Sequence, residues 1–457
     1  MRKRDQFKRL ITFLEGTVIL AIHTLLFTYL WYSFYQKQLE VPFFRRGDWA
    51  VIGFYALIMY LFTRLYGGFQ IGYLRLMDVL YSQMLSLACT NVITYVQICL
   101  ISREYLTAQP LLIMTLVQIV VILLWIFICK TIYALLYPPR QMLLIYDDKS
   151  PREILDKLGT RQDKYNICDI MHLSEGLDNI CDSLEEYEAV LIYDISAYER
   201  NIILKKCFEL SVRTYVTPKI SDILLTGSDK IHLFDTPLLL SRNKGLSGDQ
   251  LIFKRIMDLV ITIPVSIVLL PLFLLIALLI KLYDGGPVLY SQNRLTLDGE
   301  VFKIYKFRSM RMDSEKNGIQ LAKKGDDRIT PVGRVLRALH FDEFPQVINI
   351  IKGDMSLVGP RPERPEIARQ YQKLIPEFDF RLKVKAGLTG YAQVYGKYNT
   401  TPYDKLKLDL TYIENYSLWL DFKLLLLTFK ILFQKENTEG IDFNQKTAFK
   451  ENGKKGE

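Results

Sequence analysis

The sequence predicts a membrane protein of mixed architecture: an N-terminal four-helix transmembrane region, a Rossmann-like α/β module, and a C-terminal α/β domain carrying a re-entrant membrane helix. Three observations predict it. Long apolar runs fill residues 1–140 of the 457; short buried-strand patterns alternate with polar helical segments over 141–248; and an apolar run interrupted by two prolines, 254–281, opens residues 249–435. Half of the chain is hydrophobic and 23% is charged, which excludes a disordered protein. The six cysteines form no C-x-x-C pair, so neither a disulfide framework nor a structural zinc site is indicated.

The formal charge of +9 is unevenly divided. Residues 1–140 carry 13 Lys+Arg and 6 Asp+Glu, residues 141–250 carry 13 and 19, and residues 251–457 carry 32 and 24. Basic charge beside long apolar runs points to a membrane surface rather than to nucleic acid.

Four apolar stretches, Leu10–Phe34, Trp49–Tyr66, Leu76–Ile101 and Leu111–Tyr137, occupy the first region. Three reach the roughly 20 residues that cross a bilayer as helix, and the second is near the lower limit. The first is long and followed by further spans, unlike a cleavable signal peptide. Arg2, Lys3, Arg4, Lys8 and Arg9 precede it, which puts the N-terminus in the cytoplasm; four crossings return the chain there at Pro138-Pro139-Arg140.

In the second region Met142–Tyr146, Ala189–Tyr193 and Arg213–Val216 read as strands, with helical segments such as Pro151–Leu158 and Glu199–Leu210 between them. A dinucleotide site needs a Gly-rich turn after the first strand. Here Asp147-Asp148-Lys149 follows instead, so the module lacks the cofactor turn.

The apolar run of 254–281 has basic residues at both ends, Lys254 and Arg255 and then Lys281, and contains Pro264 and Pro271. Neither end is marked as the outer one, and a helix that enters one leaflet, breaks at Pro271 and returns accounts for both facts. An ordinary fifth span with proline kinks is the alternative. Lys254, Arg255 and Asp258 anchor this helix in either reading, with Lys254 and Arg255 also candidates for a lipid phosphate. Leu418–Phe433 mixes aromatic residues with Asp421, Lys423 and Lys430, as suits a helix in the interface or a buried core helix. Residues 436–457 read as a mobile polar tail.

The chemistry concentrates in residues 285–415. Val301–Arg311 alternates apolar and basic residues, and strand periodicity would place Lys306 and Arg308 on one face, as a polyanion site or as a solvated strand edge. In His340-Phe341-Asp342-Glu343-Phe344-Pro345-Gln346, Asp342 falls near a helix start. It is either a cap or a positioned nucleophile for phosphorus, with Glu343 as a Mg²⁺ ligand. Gly353–Pro362 presents Arg361 between two prolines as a fork for phosphate, and Gly359 as a point of close backbone approach to a ligand.

The region from Lys254 to about Phe433 resembles the bacterial sugar transferase family, the monotopic phosphoglycosyl transferases. The resemblance is carried by Gly286-Pro-Val-Leu-Tyr-Ser-Gln-Asn-Arg294, Lys303–Met310, Asp342-Glu343-Phe-Pro-Gln346, Gly353–Pro362 and Gly387-Leu-Thr-Gly-Tyr-Ala-Gln393. Lys407-Leu-Asp409 and Tyr412-Ile-Glu-Asn-Tyr-Ser417 complete it. With the spans and module in front, it resembles the long form that primes exopolysaccharide or capsule synthesis. The resemblance implies attack by Asp342 on the β-phosphate of a UDP-hexose (glucose or galactose), loss of UMP, and transfer of the hexose phosphate to polyprenyl (undecaprenyl) phosphate. It further implies Mg²⁺ at Asp342 and Glu343, polar site residues at Lys306, Arg361 and Asp409, and a catalytic domain on the cytoplasmic face of the bacterial inner membrane. Lipid bilayer is a partner, a homodimer is compatible with it, and nucleic acid is not expected. At the helix break this chain has Leu270-Pro271 where the family has Ser-Pro. Two rival functions are a non-catalytic scaffold of a glycan-assembly complex and a nucleotide-sugar dehydratase, the latter disfavoured by the missing glycine turn.

Overall fold

The computed structural model describes residues 7–43, 46–242, 244–311, 326, 328–397 and 400–432. The expected tail at 436–457 and the basic residues Arg2, Lys3 and Arg4 lie outside the described residues. The chain divides into two compact units, Met1–Pro218 and Lys219–Glu457.

The first unit begins with four apolar helices, α1 (Lys8–Leu30), α2 (Gly47–Tyr66), α3 (Leu76–Ser102) and α4 (Gln109–Leu136). With one more helix below, they are the five in the described chain that are long and apolar enough to cross a membrane. Polar groups facing inward find one another, because lipid offers no partners. Gln118 donates to the Tyr55 hydroxyl at 2.8 Å, and Asn91 donates to Gln118 at 3.0 Å and to Thr115 at 2.8 Å. The Trp31 indole N–H donates to Asp48 at 2.7 Å.

The α/β module follows as β1 (Arg140–Tyr146), α5 (Arg152–Gly159), β2 (Tyr165–His172), α6 (Leu177–Ser183), β3 (Ala189–Tyr193), α7 (Ala197–Glu209) and β4 (Arg213–Val216). The strands form a parallel sheet in the order β2-β1-β3-β4. The two central strands are the apolar ones; β2, absent from the sequence reading, is a polar edge strand (YNICDIMH) whose residues are largely exposed. Edge strands are recognised by pairing more than by hydrophobicity.

The second unit opens with α8 (Ile220–Thr226), whose Ile220 and Ile223 are buried in the core formed by Phe302, Ile350, Met355, Val358 and Leu410. Residues 219–248, grouped with the α/β module by sequence, therefore pack in part with the C-terminal unit. The hairpin β5 (Asp229–Leu233) and β6 (Thr236–Leu240) is exposed along both strands. Helix α9 (Gly248–Asp284) contains Pro264 and Pro271 and remains one uninterrupted helix. Helical backbone thus continues through Pro271, so the chain does not unwind there; a proline inside a membrane helix removes one backbone N–H and permits a bend without ending the helix. The exposed residues Val260, Ile263, Ile267, Val268, Leu270 and Leu274 are apolar.

The hairpin β7 (Leu289–Leu295) and β8 (Val301–Phe307) comes next, followed by α10 (Pro331–Ala338), a 3₁₀ helix at Phe341–Gln346, and α11 (Val347–Lys352). Strand β9 (Ser356–Val358), α12 (Pro365–Leu374), a 3₁₀ helix at Pro376–Lys383, β10 (Gly387–Thr389), α13 (Tyr391–Tyr395), α14 (Pro402–Glu414) and α15 (Leu418–Leu432) complete the unit. In α15, Leu424 and Asp421 are buried while Trp419, Phe422 and Phe429 are exposed, so this helix has both a core face and an aromatic outer face.

Candidate active site

The Asp342-Glu343 pair lies in the first turn of the Phe341–Gln346 3₁₀ helix, entered through His340 at φ 55°. Asp342 is therefore inside the turn, and His340 takes the cap position expected for it. The flanking phenylalanines hold the turn down. Phe341 and Phe344 pack at 4.7 Å between ring centroids, and Phe344 meets Phe273 of α9 at 5.7 Å. The carboxylates are thereby tied to the apolar helix by a contact between rings.

Glu343 Oε1 accepts from Lys306 Nζ at 2.6 Å and from Arg361 Nη2 at 3.0 Å. Lys306 comes from β8, Arg361 from the loop after β9, and Asn349 of α11 fixes β8 by accepting from Tyr305 N–H at 3.0 Å and donating to Lys303 O at 2.7 Å. Burial opposes ionisation of Glu343, but the charges of Lys306 and Arg361 outweigh it and hold its pKa well below the usual glutamate range. Asp342 is different. It is 9% exposed, and among the described residues its carboxylate has no hydrogen-bond or ion-pair partner. Burial, with the neighbouring Glu343 charge, raises its pKa. Adjacent carboxylates thus have divided properties: one ionised and held, one unengaged and of raised basicity.

Behind the Arg361 loop is a buried charge network. Arg381, 2% exposed, lies 2.7 Å from Asp409 and 3.6 Å from Glu363, and donates to the Arg361 carbonyl at 2.9 Å. Glu363 also pairs with Lys405. Burial opposes ionisation of Glu363, but Lys405 and Arg381 pull its pKa down to about 2. Asp409 is shifted up by burial even against Arg381.

The structure brings Asp342, Glu343, Lys306 and Arg361 together. It assigns other surroundings to the remaining sequence candidates. Arg308 follows the end of β8, where alternation no longer fixes its side; it is buried with its guanidinium against Gly286, at which a Cβ would come within 2.0 Å of Nη1. At Gly359 the close neighbour is the protein's own backbone. A Cβ there would sit 2.3 Å from the Lys385 carbonyl, so the close packing of the β10 segment by itself requires a glycine here. Asp409 is 1% exposed and reaches the site through Arg381. Lys254, 4% exposed, faces Asp421 at 2.5 Å, and Arg255 donates to the Ile350 and Ile351 carbonyls at 2.6 and 2.7 Å. Lys254 is thus held in a buried ion pair, and the partly buried Arg255 by two neutral backbone carbonyls. Arg381, Glu363 and Lys405 went unnoticed in the sequence. Their types are those of ordinary surface residues, and no periodicity marks them as buried.

A carboxylate pair with Lys306 and Arg361 beside it, on a unit that carries a long apolar helix, is the candidate site. Residues 249–435 match the bacterial sugar transferase family. The chain is 41% identical over 255 residues to the UDP-N-acetylgalactosamine-undecaprenyl-phosphate N-acetylgalactosaminephosphotransferase of Aeromonas hydrophila, covering 54% of this chain and 58% of the relative. It is 41% identical over 189 residues to the UDP-glucose:undecaprenyl-phosphate glucose-1-phosphate transferase of Caulobacter vibrioides, covering 40% of this chain and 71% of that protein. It is 33% identical over 270 residues to the undecaprenyl-phosphate galactose phosphotransferase of Salmonella typhimurium, covering 54% and 56%. The chain spans about half the length of most of these curated relatives. It belongs to the bacterial sugar transferase family.

Proposed function

We propose that the protein transfers a hexose-1-phosphate from a UDP-sugar to undecaprenyl phosphate through a covalent aspartyl intermediate, as the first step of an exopolysaccharide or capsule. The observation that carries this reading is the buried Asp342, which has no hydrogen-bond or ion-pair partner among the described residues, beside a Glu343 held by Lys306 and Arg361. An Asp342 oxygen attacks the β-phosphorus, and the bond from that phosphorus to the bridging oxygen breaks. UMP leaves with the electron pair, and the sugar phosphate remains on Asp342. A phosphate oxygen of the lipid then attacks the same phosphorus, releasing the carboxylate and forming the lipid-linked diphosphate sugar. Arg361, with its side chain 44% exposed, is accessible to a substrate phosphate. Glu343 fixes Lys306 and Arg361 next to the nucleophile.

The donor set fits Mg²⁺. Asp342 and Glu343 are adjacent in the chain, their charges act on each other, and both offer hard carboxylate oxygens that would hold the ion. Magnesium characteristically takes one or two carboxylates and completes its shell with water and substrate phosphates. Bound there, it would neutralise diphosphate charge. The experiment is incubation of the purified, reconstituted protein with undecaprenyl phosphate and labelled UDP-glucose, UDP-galactose or UDP-N-acetylgalactosamine. Lipid-linked label and equimolar UMP are expected with one or more donors, lost on EDTA treatment and restored by Mg²⁺. No label with any donor would leave the scaffold reading standing; activity indifferent to EDTA would remove the metal.

The re-entrant reading of α9 belongs to this proposal. A helix of 37 residues is about 55 Å long, enough to exceed a bilayer core of about 30 Å. Yet both its ends contact the same unit: Lys254 and Asp258 are buried near its start, and Ile276 and Ile280 join Phe307 and Leu336 near its end. A simple crossing would separate those ends across the membrane. Single cysteines at Gln250 and Tyr283 of an otherwise cysteine-free variant are expected to react with an impermeant maleimide from the cytoplasmic side only. Labelling of the second position from the outer side alone would establish a fifth crossing.

A further inference from the structure

The foot of α9 holds both halves of the site. On one half, Arg255 caps the carbonyl end of α11, the helix that continues the Asp342-Glu343 turn. On the other, Asp258 Oδ1 accepts from Ser356 Oγ and from the Leu357 backbone N–H, each at 3.0 Å, with all three residues buried. Between them Lys254 donates to Tyr412 at 3.0 Å, and Tyr412 donates to Asp421 at 2.7 Å.

The Asp258 contact has a specific geometry. Among the described residues strand β9 has one partner strand, β10, and Ser356 N–H bonds toward it, to Ala386 O at 2.9 Å. The next amide, Leu357 N–H, is free of that ladder by strand alternation and bonds Asp258 instead, where a sheet would supply a further strand. Asp258 takes that place. From β9 the chain runs through Gly359 and Pro360 to Arg361, with a second proline after it, so little slack separates the strand from the guanidinium on Glu343.

We propose that Asp258 is a positioning residue: through β9 it sets the Arg361 guanidinium against Glu343, so that the site is assembled by seating the polar foot of the membrane helix. The proposal rests on the phosphoryl-transfer reading above. Its role is exerted through hydrogen bonding, so an acceptor at this position is what the site requires.

The test uses the full-length protein in lipid nanodiscs with the UDP-sugar donor that wild type turns over. Asp258→Ala is expected to lower kcat by about a hundredfold, the scale of an ångström-level misplacement, with KM for the donor within about twofold. Asp258→Asn keeps the acceptor oxygen and should restore most of the rate. Amide exchange should accelerate over 356–361 in Asp258→Ala and stay unchanged in the rest of the unit. In an Arg361→Ala background, Asp258→Ala should cost no more than about a further twofold, because the group through which it acts is gone. Undiminished kcat in Asp258→Ala, full additivity with Arg361→Ala, or exchange accelerated across the whole unit would each overturn the proposal. Activity surviving in Asp342→Asn would instead defeat the phosphoryl-transfer reading, and the local exchange result would still judge the Asp258–β9 contact.

Discussion

Replacing Asp342 with Asn lowers UMP release and lipid-linked product by roughly 10⁴-fold or more, the scale on which removal of a covalent nucleophile acts. The amide matches the carboxylate in size but cannot make the acyl-phosphate bond. Acid quenching of wild type during turnover should leave labelled sugar phosphate on the protein, and the variant should carry none. Asp342 should also show a displaced titration. Burial and the Glu343 charge raise the Asp342 pKa, and attack requires the ionised form. In the metal-free protein the Asp342 carboxyl should therefore titrate with a midpoint above the ordinary aspartate range, read from its carbon NMR shift, whereas Mg²⁺ on the same carboxylate lowers it. Glu343 stays ionised throughout that window because Lys306 and Arg361 hold its pKa low despite burial. A midpoint at the ordinary aspartate value would show that Asp342 is better solvated than its burial implies.

Arg381→Ala should cause the largest loss of stability. It removes one buried cation from Asp409 at 2.7 Å and Glu363 at 3.6 Å, and one donor from the Arg361 carbonyl. Breaking a buried pair from one side typically costs about 3–5 kcal/mol, because the surviving carboxylate stays desolvated and uncompensated. For a unit of this size that is a fall in Tm of roughly 10 °C. The double variant Arg381→Met with Asp409→Leu should recover a large part of it, since both charges are then absent. The pH dependence has a defined sign. The folded-state pKa of Glu363 is depressed to about 2 by Lys405 and Arg381, against the opposing effect of burial, so its stabilisation is complete above the unfolded value near 4.3 and fades as pH falls toward 2. The stability gap between wild type and Arg381→Ala should narrow over that interval in thermal unfolding scans. A constant gap would mean that Arg381 acts by packing alone.

The legible part of the fold is the part written in hydrophobic patterning. Helices α1–α4 follow the four apolar runs, and β1, β3 and β4 fall where short apolar strands were read. Strand β2 was missed because its pattern is polar, and α8 was grouped with the wrong neighbours because nothing in seven residues tells which core they enter. At the site, Asp342, Glu343, Lys306 and Arg361 were all picked out from local motifs, and the structure brings them together. Arg308 lies one residue past the end of β8, where strand alternation no longer fixes its side, and the space that a Cβ at Gly359 would take is filled by the β10 segment. Asp421 was read as an interruption of an apolar helix; it is the buried counter-charge of Lys254.

By itself the sequence determined the long apolar helices, the strand–helix alternation that follows them and the adjacency of the two candidate carboxylates. These are properties of hydrophobic periodicity and of residues adjacent in the chain. Only the tertiary structure decided which carboxylate is held and which is left open, because Glu343 gains its two cations from segments distant in sequence. It likewise decided that Lys254 and Arg255 face protein, and that Arg381 and Asp409 form a supporting pair. A charge reveals its sign in sequence, but its desolvation and its partner exist only after distant segments have packed.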